Sequence, residues 1–159
     1  MGFNKQKREN MNFNQIHIPN SLRQAIRRQV NINNAKNMLN SPEGAQFKQE
    51  CQKGLQSRDF DGDGKTSAKE MGADFNRSTA TIFKNANRGY QAVASALSQR
   101  AGSIFSQYAG GDGILDEYEY SAALNSDEYD AMITKYNELQ NSVSGEYEVE
   151  DDIGLQNDN

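Results

Sequence analysis

Asp59-Phe60-Asp61-Gly62-Asp63-Gly64-Lys65-Thr66-Ser67-Ala68-Lys69-Glu70 sets three aspartates two residues apart, follows them with a glycine, and closes on a glutamate at the twelfth position. On a tightly turning backbone, alternate side chains aim their oxygens at one centre, where carboxylates repel each other. A hard divalent cation at that centre removes the repulsion. Gly64 allows the positive φ that a sharp bend requires, and Glu70 reaches back with two oxygens from the start of a following helix. Asp- and Gly-rich turns also form for purely local reasons. Here every constrained position agrees, and helical patterns flank both sides, which favours a metal loop over a solvated turn.

Upstream, Ser41-Pro42-Glu43 is a helix start: a capping hydroxyl, a proline at the first helical position and an acid near the positive end of the dipole. Phe47, Cys51 and Leu55 then recur every four residues down one face into the loop, and Met71 and Phe75 repeat that spacing after it. This helix-loop-helix resembles the EF-hand calcium-binding family, over about residues 42 to 125. The resemblance implies Ca²⁺ as the bound ion. Its ligands are then Asp59, Asp61, Asp63, the backbone carbonyl of Lys65, Ser67 directly or through a water, and Glu70. A bidentate Glu70 favours seven-coordinate Ca²⁺ over octahedral Mg²⁺. The chain departs from the family pattern at Arg58, where an apolar residue is usual, and at Thr66, where a branched apolar residue is preferred. Gly54 and Asp74 stand where larger apolar residues are common.

One helix-loop-helix cannot bury its apolar faces alone, so a partner is expected downstream. Ile82, Ala86, Tyr90, Val93, Ala94, Leu97, Ala101, Ile104, Phe105 and Tyr108 form a long helical stripe with breaks expected near Gly89 or Gly102. It runs into Tyr108-Ala109-Gly110-Gly111-Asp112-Gly113-Ile114-Leu115-Asp116-Glu117-Tyr118-Glu119. Aligned on Gly113, this second loop keeps Asp112, Asp116 and Glu119 but carries Tyr108 and Gly110 at positions 1 and 3. It resembles a degenerate EF-hand loop. With two anionic ligands missing, a structural role is favoured, in which Leu115 pairs with Thr66; a weaker metal site using backbone carbonyls is the other reading. Ser126 then caps a further helix bearing Tyr129, Met132, Ile133 and Tyr136 on one face.

A chain of 159 residues with 35% apolar content fits one globular unit with tails. The expected organisation is a disordered segment over 1–20, an all-α EF-hand-like domain with additional flanking helices over 21–140, and a disordered acidic tail over 141–159. The net charge of −5 conceals opposed ends: residues 1–42 sum to +6, and the last seventeen to −6. His17, the only histidine, belongs to the polar N-terminal segment. The lone Cys51 excludes an intrachain disulfide framework and suggests core packing. The N-terminus lacks a secretory apolar region and no run is long enough to span a bilayer, so a soluble, cytoplasmic protein is expected.

These residues lead to a non-enzymatic calcium-binding protein acting as a Ca²⁺ sensor, buffer or Ca²⁺-stabilised protein. No histidine lies near the acidic loop and Cys51 lacks a base partner, so no catalytic residues are assigned. The alternative is an interaction or scaffold protein in which calcium is structural and the acidic tail or a basic helix binds a protein partner. That helix carries Leu22, Ile26 and Val30 on one face beside Arg23, Arg27 and Arg28. It lacks the aromatic interleaving of a nucleic-acid surface, so neither nucleic acid nor membrane is expected as a partner. Its apolar stripe is expected to dock on the chain's own helix-loop-helix pair, the rival being that the long helix from Ile82 or the helix from Tyr129 covers that face and leaves the basic helix free for a partner. The oligomeric state is left open.

Overall fold

A computed structural model describes residues 17–157, with side chains over residues 17–145. It divides into two units, residues 1–30 and residues 31–159. In the first, residues 17–19 have no regular structure, and helix α1 (Asn20–Leu39) starts where the backbone N–H groups of Leu22 and Arg23 donate to the Pro19 carbonyl. Leu22, Ile26 and Val30 are each about half exposed. The remainder of the expected disordered segment, residues 1–16, lies outside the described residues.

The second unit is all-α, built from the end of α1 and five further helices among the described residues. Ser41 accepts a hydrogen bond from the Gly44 N–H, and a 3₁₀ turn over Pro42–Gly44 leads into α2 (Ala45–Gln56). After the acidic loop come β1 (Thr66–Ser67) and α3 (Ala68–Ile82). Helix α4 (Arg88–Ala109) is capped by the Asn87 side chain, so the long downstream stripe breaks between Ile82 and Arg88 and passes Gly102 unbroken. The physical reason is close packing. A Cβ on Gly72 of α3 would stand 3.3 Å from the Gly102 Cα, which places the two backbones against each other at a crossing that small residues permit.

A second 3₁₀ turn (Gly110–Asp112), β2 (Ile114–Leu115) and α5 (Glu117–Leu124) follow. The strands pair antiparallel with Thr66 opposite Leu115, the pairing expected of a structural second loop, and Ala68 N–H donates to the Gly113 carbonyl at 2.9 Å. Both central residues are buried. Thr66 also donates its hydroxyl to the Leu55 carbonyl at the end of α2, a bond that an apolar residue at this position would forfeit.

The last helix, α6 (Asp127–Asn157), starts at Ser126, whose hydroxyl accepts from the Tyr129 N–H at 3.2 Å. Tyr136 lies edge-on to Phe75 and Phe83, Tyr129 lies against Phe105, and Met132 is buried. Thus α6 covers the apolar face of α3 and α4 within this unit. Its backbone stays helical to Asn157, beyond the point where the composition suggested loss of structure, and buried Val143 continues the Met132 and Tyr136 stripe into that region. No helix of the described residues is long and apolar enough to cross a membrane.

The buried Leu115 side chain is the hinge of the strand pair. Leu115→Ala should lower unfolding free energy by about 2 to 4 kcal/mol in a denaturant titration, the range for a buried leucine with partial collapse; an unchanged midpoint would show that the pairing does not stabilise the domain.

Candidate metal centre

The acidic loop is formed by two positive-φ glycines and a ladder of side-chain to backbone hydrogen bonds. Gly62 has φ 71° and Gly64 has φ 82°, so the turn is open only to residues that tolerate the left-handed region. Asp59 Oδ2 accepts from the Gly64 N–H at 2.8 Å, Asp61 Oδ1 from Asp63 N–H at 3.2 Å, and Asp63 Oδ1 from Lys65 N–H at 2.9 Å. These bonds gather the acids. Carboxylate oxygens from Asp59, Asp61 and Asp63 lie within 4.8 Å of one another, the one such acidic group among the described residues.

Asp59 Oδ1 stands apart from the other loop oxygens because it is buried and accepts no hydrogen bond. A buried carboxylate oxygen without a donor is costly, and donors or a cation normally compensate it. Ser67 and Glu70 form a capping box at the start of α3: Ser67 Oγ accepts from Glu70 N–H, and Glu70 Oε1 accepts from Ser67 N–H at 2.9 Å. The other oxygen, Oε2, accepts from the N–H groups of Phe60 at 2.7 Å and Asp61 at 3.3 Å. Glu70 therefore reaches across to the first half of the loop while remaining outside the three-aspartate group. Lys65 enters this network through its backbone N–H.

The electrostatics follow the same contacts. The Lys65 N–H holds Asp63 below the usual carboxylate range, and the Ser67 N–H, helped by Phe60 and Asp61, does so for Glu70. At Asp61 the Asp63 N–H acts to lower the pKa, but the facing Asp59 carboxylate, desolvation and Asp63 outweigh it and push the group up. Crowded anions have this effect on one of their number.

Residues that were separate oddities in the sequence meet beside the loop. Arg58 Nε donates to Asp74 Oδ2 at 2.9 Å, and its Nη1 donates to the Gly54 carbonyl at 2.8 Å. Arg77 stacks its guanidinium over the Phe60 ring, 5.0 Å from the centroid. Opposite charges at 58 and 74 were the available signal for the first contact; the Phe60 stacking had none.

The second loop is arranged differently. Asp112 Oδ1 accepts from the Ile114 N–H at 3.0 Å, and Asp116 caps α5 in a reciprocal box with Glu119. Tyr118 is flanked by the ammonium groups of Lys36 and Lys48 and donates its hydroxyl to Asn40. Burial, with Asp116 and Asp112 adding to it, pushes Glu119 up to about 7.

Away from the loops, Cys51 is half-buried in a cleft of about 640 Å³ with Ala35, Met38, Phe47, Tyr120 and Leu124, and burial pushes its thiol up. His17 is exposed. Comparison of the chain with protein-family models, with curated proteins and with solved structures gives no match.

Because Glu119 binds its proton more tightly folded than unfolded, it opposes folding as pH rises from its unfolded value near 4.5 through 7. Glu119→Gln keeps an acceptor for the Asp116 N–H and should raise the melting temperature at pH 8 by much more than it does at pH 5, below the folded value. Equal effects at both pH values would contradict this assignment.

Proposed function

We propose that this chain is a non-enzymatic Ca²⁺-binding protein of EF-hand type whose ion is held by the loop at residues 59–70. The observation that carries the reading is Asp59 Oδ1, buried and lacking a hydrogen-bond donor, on a carboxylate grouped with those of Asp61 and Asp63. A divalent cation is the partner that this donor set fits, since all its groups are hard oxygen ligands. Asp59, Asp61 and Asp63 supply carboxylates, Lys65 its carbonyl and Ser67 its hydroxyl. Glu70 supplies the closing carboxylate from α3, and Asp63 and Glu70 are held ionised well below neutral pH. The bound ion would place positive charge at the centre of the three carboxylates. Its site would lie in a cytoplasmic protein, with neither membrane nor nucleic acid as a partner.

A second reading makes calcium structural and assigns function to an interaction surface. Exposed Leu22, Ile26 and Val30 beside exposed Arg23 and Arg27 favour it, because an amphipathic stripe left in solvent suits a protein partner. Deleting residues 1–30 separates the two readings: unchanged Ca²⁺ affinity and melting temperature would assign that segment to partner binding alone.

Glu70→Gln removes one anionic charge from the ligand set and should weaken Ca²⁺ binding by on the order of tenfold or more in calorimetric titration. Asp112→Asn should leave the stoichiometry at one ion. A parent that binds two ions and a variant that binds one would assign metal to the second loop as well.

A further inference from the structure

Gly54, Arg58 and Asp74, each a departure from the pattern of the family this chain resembles, converge on one point. Arg58 follows the end of α2 and donates both to the Gly54 carbonyl, one turn back, and to the Asp74 carboxylate in the second turn of α3. Gly54 gives room to Tyr120 beside this bridge, since a Cβ there would stand a tight 3.3 Å from the Tyr120 ring and an ordinary 3.7 Å from the guanidinium. The Arg58 and Asp74 side chains are each 31% exposed, so solvent screens the pair only in part. The guanidinium thus ties the two helices that flank the acidic loop. Planar, multiply donating Arg suits this bridging better than Lys.

A separate contact holds the other side of α3. Phe75, the residue after Asp74, meets Tyr136 of α6 edge-to-face with centroids 5.5 Å apart, and Phe83 does so at 5.6 Å. The Tyr136 hydroxyl lies 3.3 Å from Thr79 Oγ1, one turn beyond Phe75. Rotating α3 away from α2 would break the ion pair and withdraw these aromatic edges together. A ligand shifts a conformational equilibrium only by its difference in affinity for the two states, and here the state with α3 apart from α2 loses both sets of contacts.

We infer that Arg58 is a positioning residue which ties the end of α2 to α3, while Tyr136 pins α3 to α6, so that α3 is held on both sides. Ion binding at the acidic loop then stabilises the domain without opening an apolar groove. The inference rests on the calcium reading, and it makes that site a stabilising or buffering one in place of a conformational sensor.

The test measures the α2–α3 distance by electron spin resonance, with labels at exposed Gln52→Cys and Ser78→Cys in a Cys51→Ser background, with and without Ca²⁺. The parent should give a narrow distribution that shifts by less than about 2 Å on adding Ca²⁺, the scale separating adjustment from rearrangement. Arg58→Leu and Asp74→Leu should each broaden it without Ca²⁺ and enlarge the Ca²⁺-induced shift. The charge reversal Arg58→Asp with Asp74→Arg should restore the narrow distribution. Circular dichroism checks that each variant is folded. A parent that shifts by more than this amount, or single variants that match the parent in both conditions, would overturn the lock. Calorimetry on the same samples tests the calcium reading separately: if no ion binds, that reading fails, and the metal-free distances still decide whether Arg58 holds the helices.

Discussion

Three carboxylates held within 4.8 Å of one another are the constraint around which this chain is arranged. Local N–H groups relieve part of the repulsion: Asp59, Asp61 and Asp63 each accept one backbone bond inside the turn, and Glu70 accepts bonds from Phe60 and Asp61. The relief is incomplete, because Asp59 Oδ1 is buried with no donor and Asp61 is pushed toward its protonated form. The Asp61 and Asp63 side chains stand exposed to water, and Asp59 Oδ1 is the loop oxygen that is both buried and unpaired. The proposed cation at the centre would compensate that oxygen.

The rest of the second unit keeps that turn in shape. Pairing of Thr66 with Leu115 ties the acidic loop to a second loop in which Asp112 and Asp116 are engaged with backbone N–H groups. The two loops are thereby joined, with Leu115 buried at the pairing. Helices α3 and α4 meet at Gly72 and Gly102, and α6 covers them with Met132, Tyr129 and Tyr136. The apolar face that would otherwise be open to a partner is filled by the chain itself.

Much of this could be read from residue spacing. The twelve-residue loop, the Ser41 and Ser126 caps and the Thr66 to Leu115 pairing each rest on local chemistry or a short period, whereas of the stripe at Phe47, Cys51 and Leu55 only Leu55 is buried and Phe47 is exposed. Tertiary choices were less legible. Leu22, Ile26 and Val30 keep a helical period and are about half exposed, and within the second unit α6 lays Tyr136 against Phe75, Phe83 and Thr79. The helical course of residues 141–157 was hidden by their acidic composition, although Val143 keeps register with Tyr136. At the loop, ligand spacing did not reveal that Glu70 would be held by the Phe60 and Asp61 N–H groups. Arg58 and Asp74 are sixteen residues apart, a separation no helical period connects, so their pairing emerged only from the fold.

The most direct test of the central claim is a calorimetric Ca²⁺ titration of the full chain beside a variant with Asp59, Asp61 and Asp63 all changed to asparagine. The account predicts one ion per chain for the parent and none for the variant, with circular dichroism showing both folded. Equal binding by the two proteins, or no binding by the parent at millimolar Ca²⁺, the weak end of such sites, would contradict it.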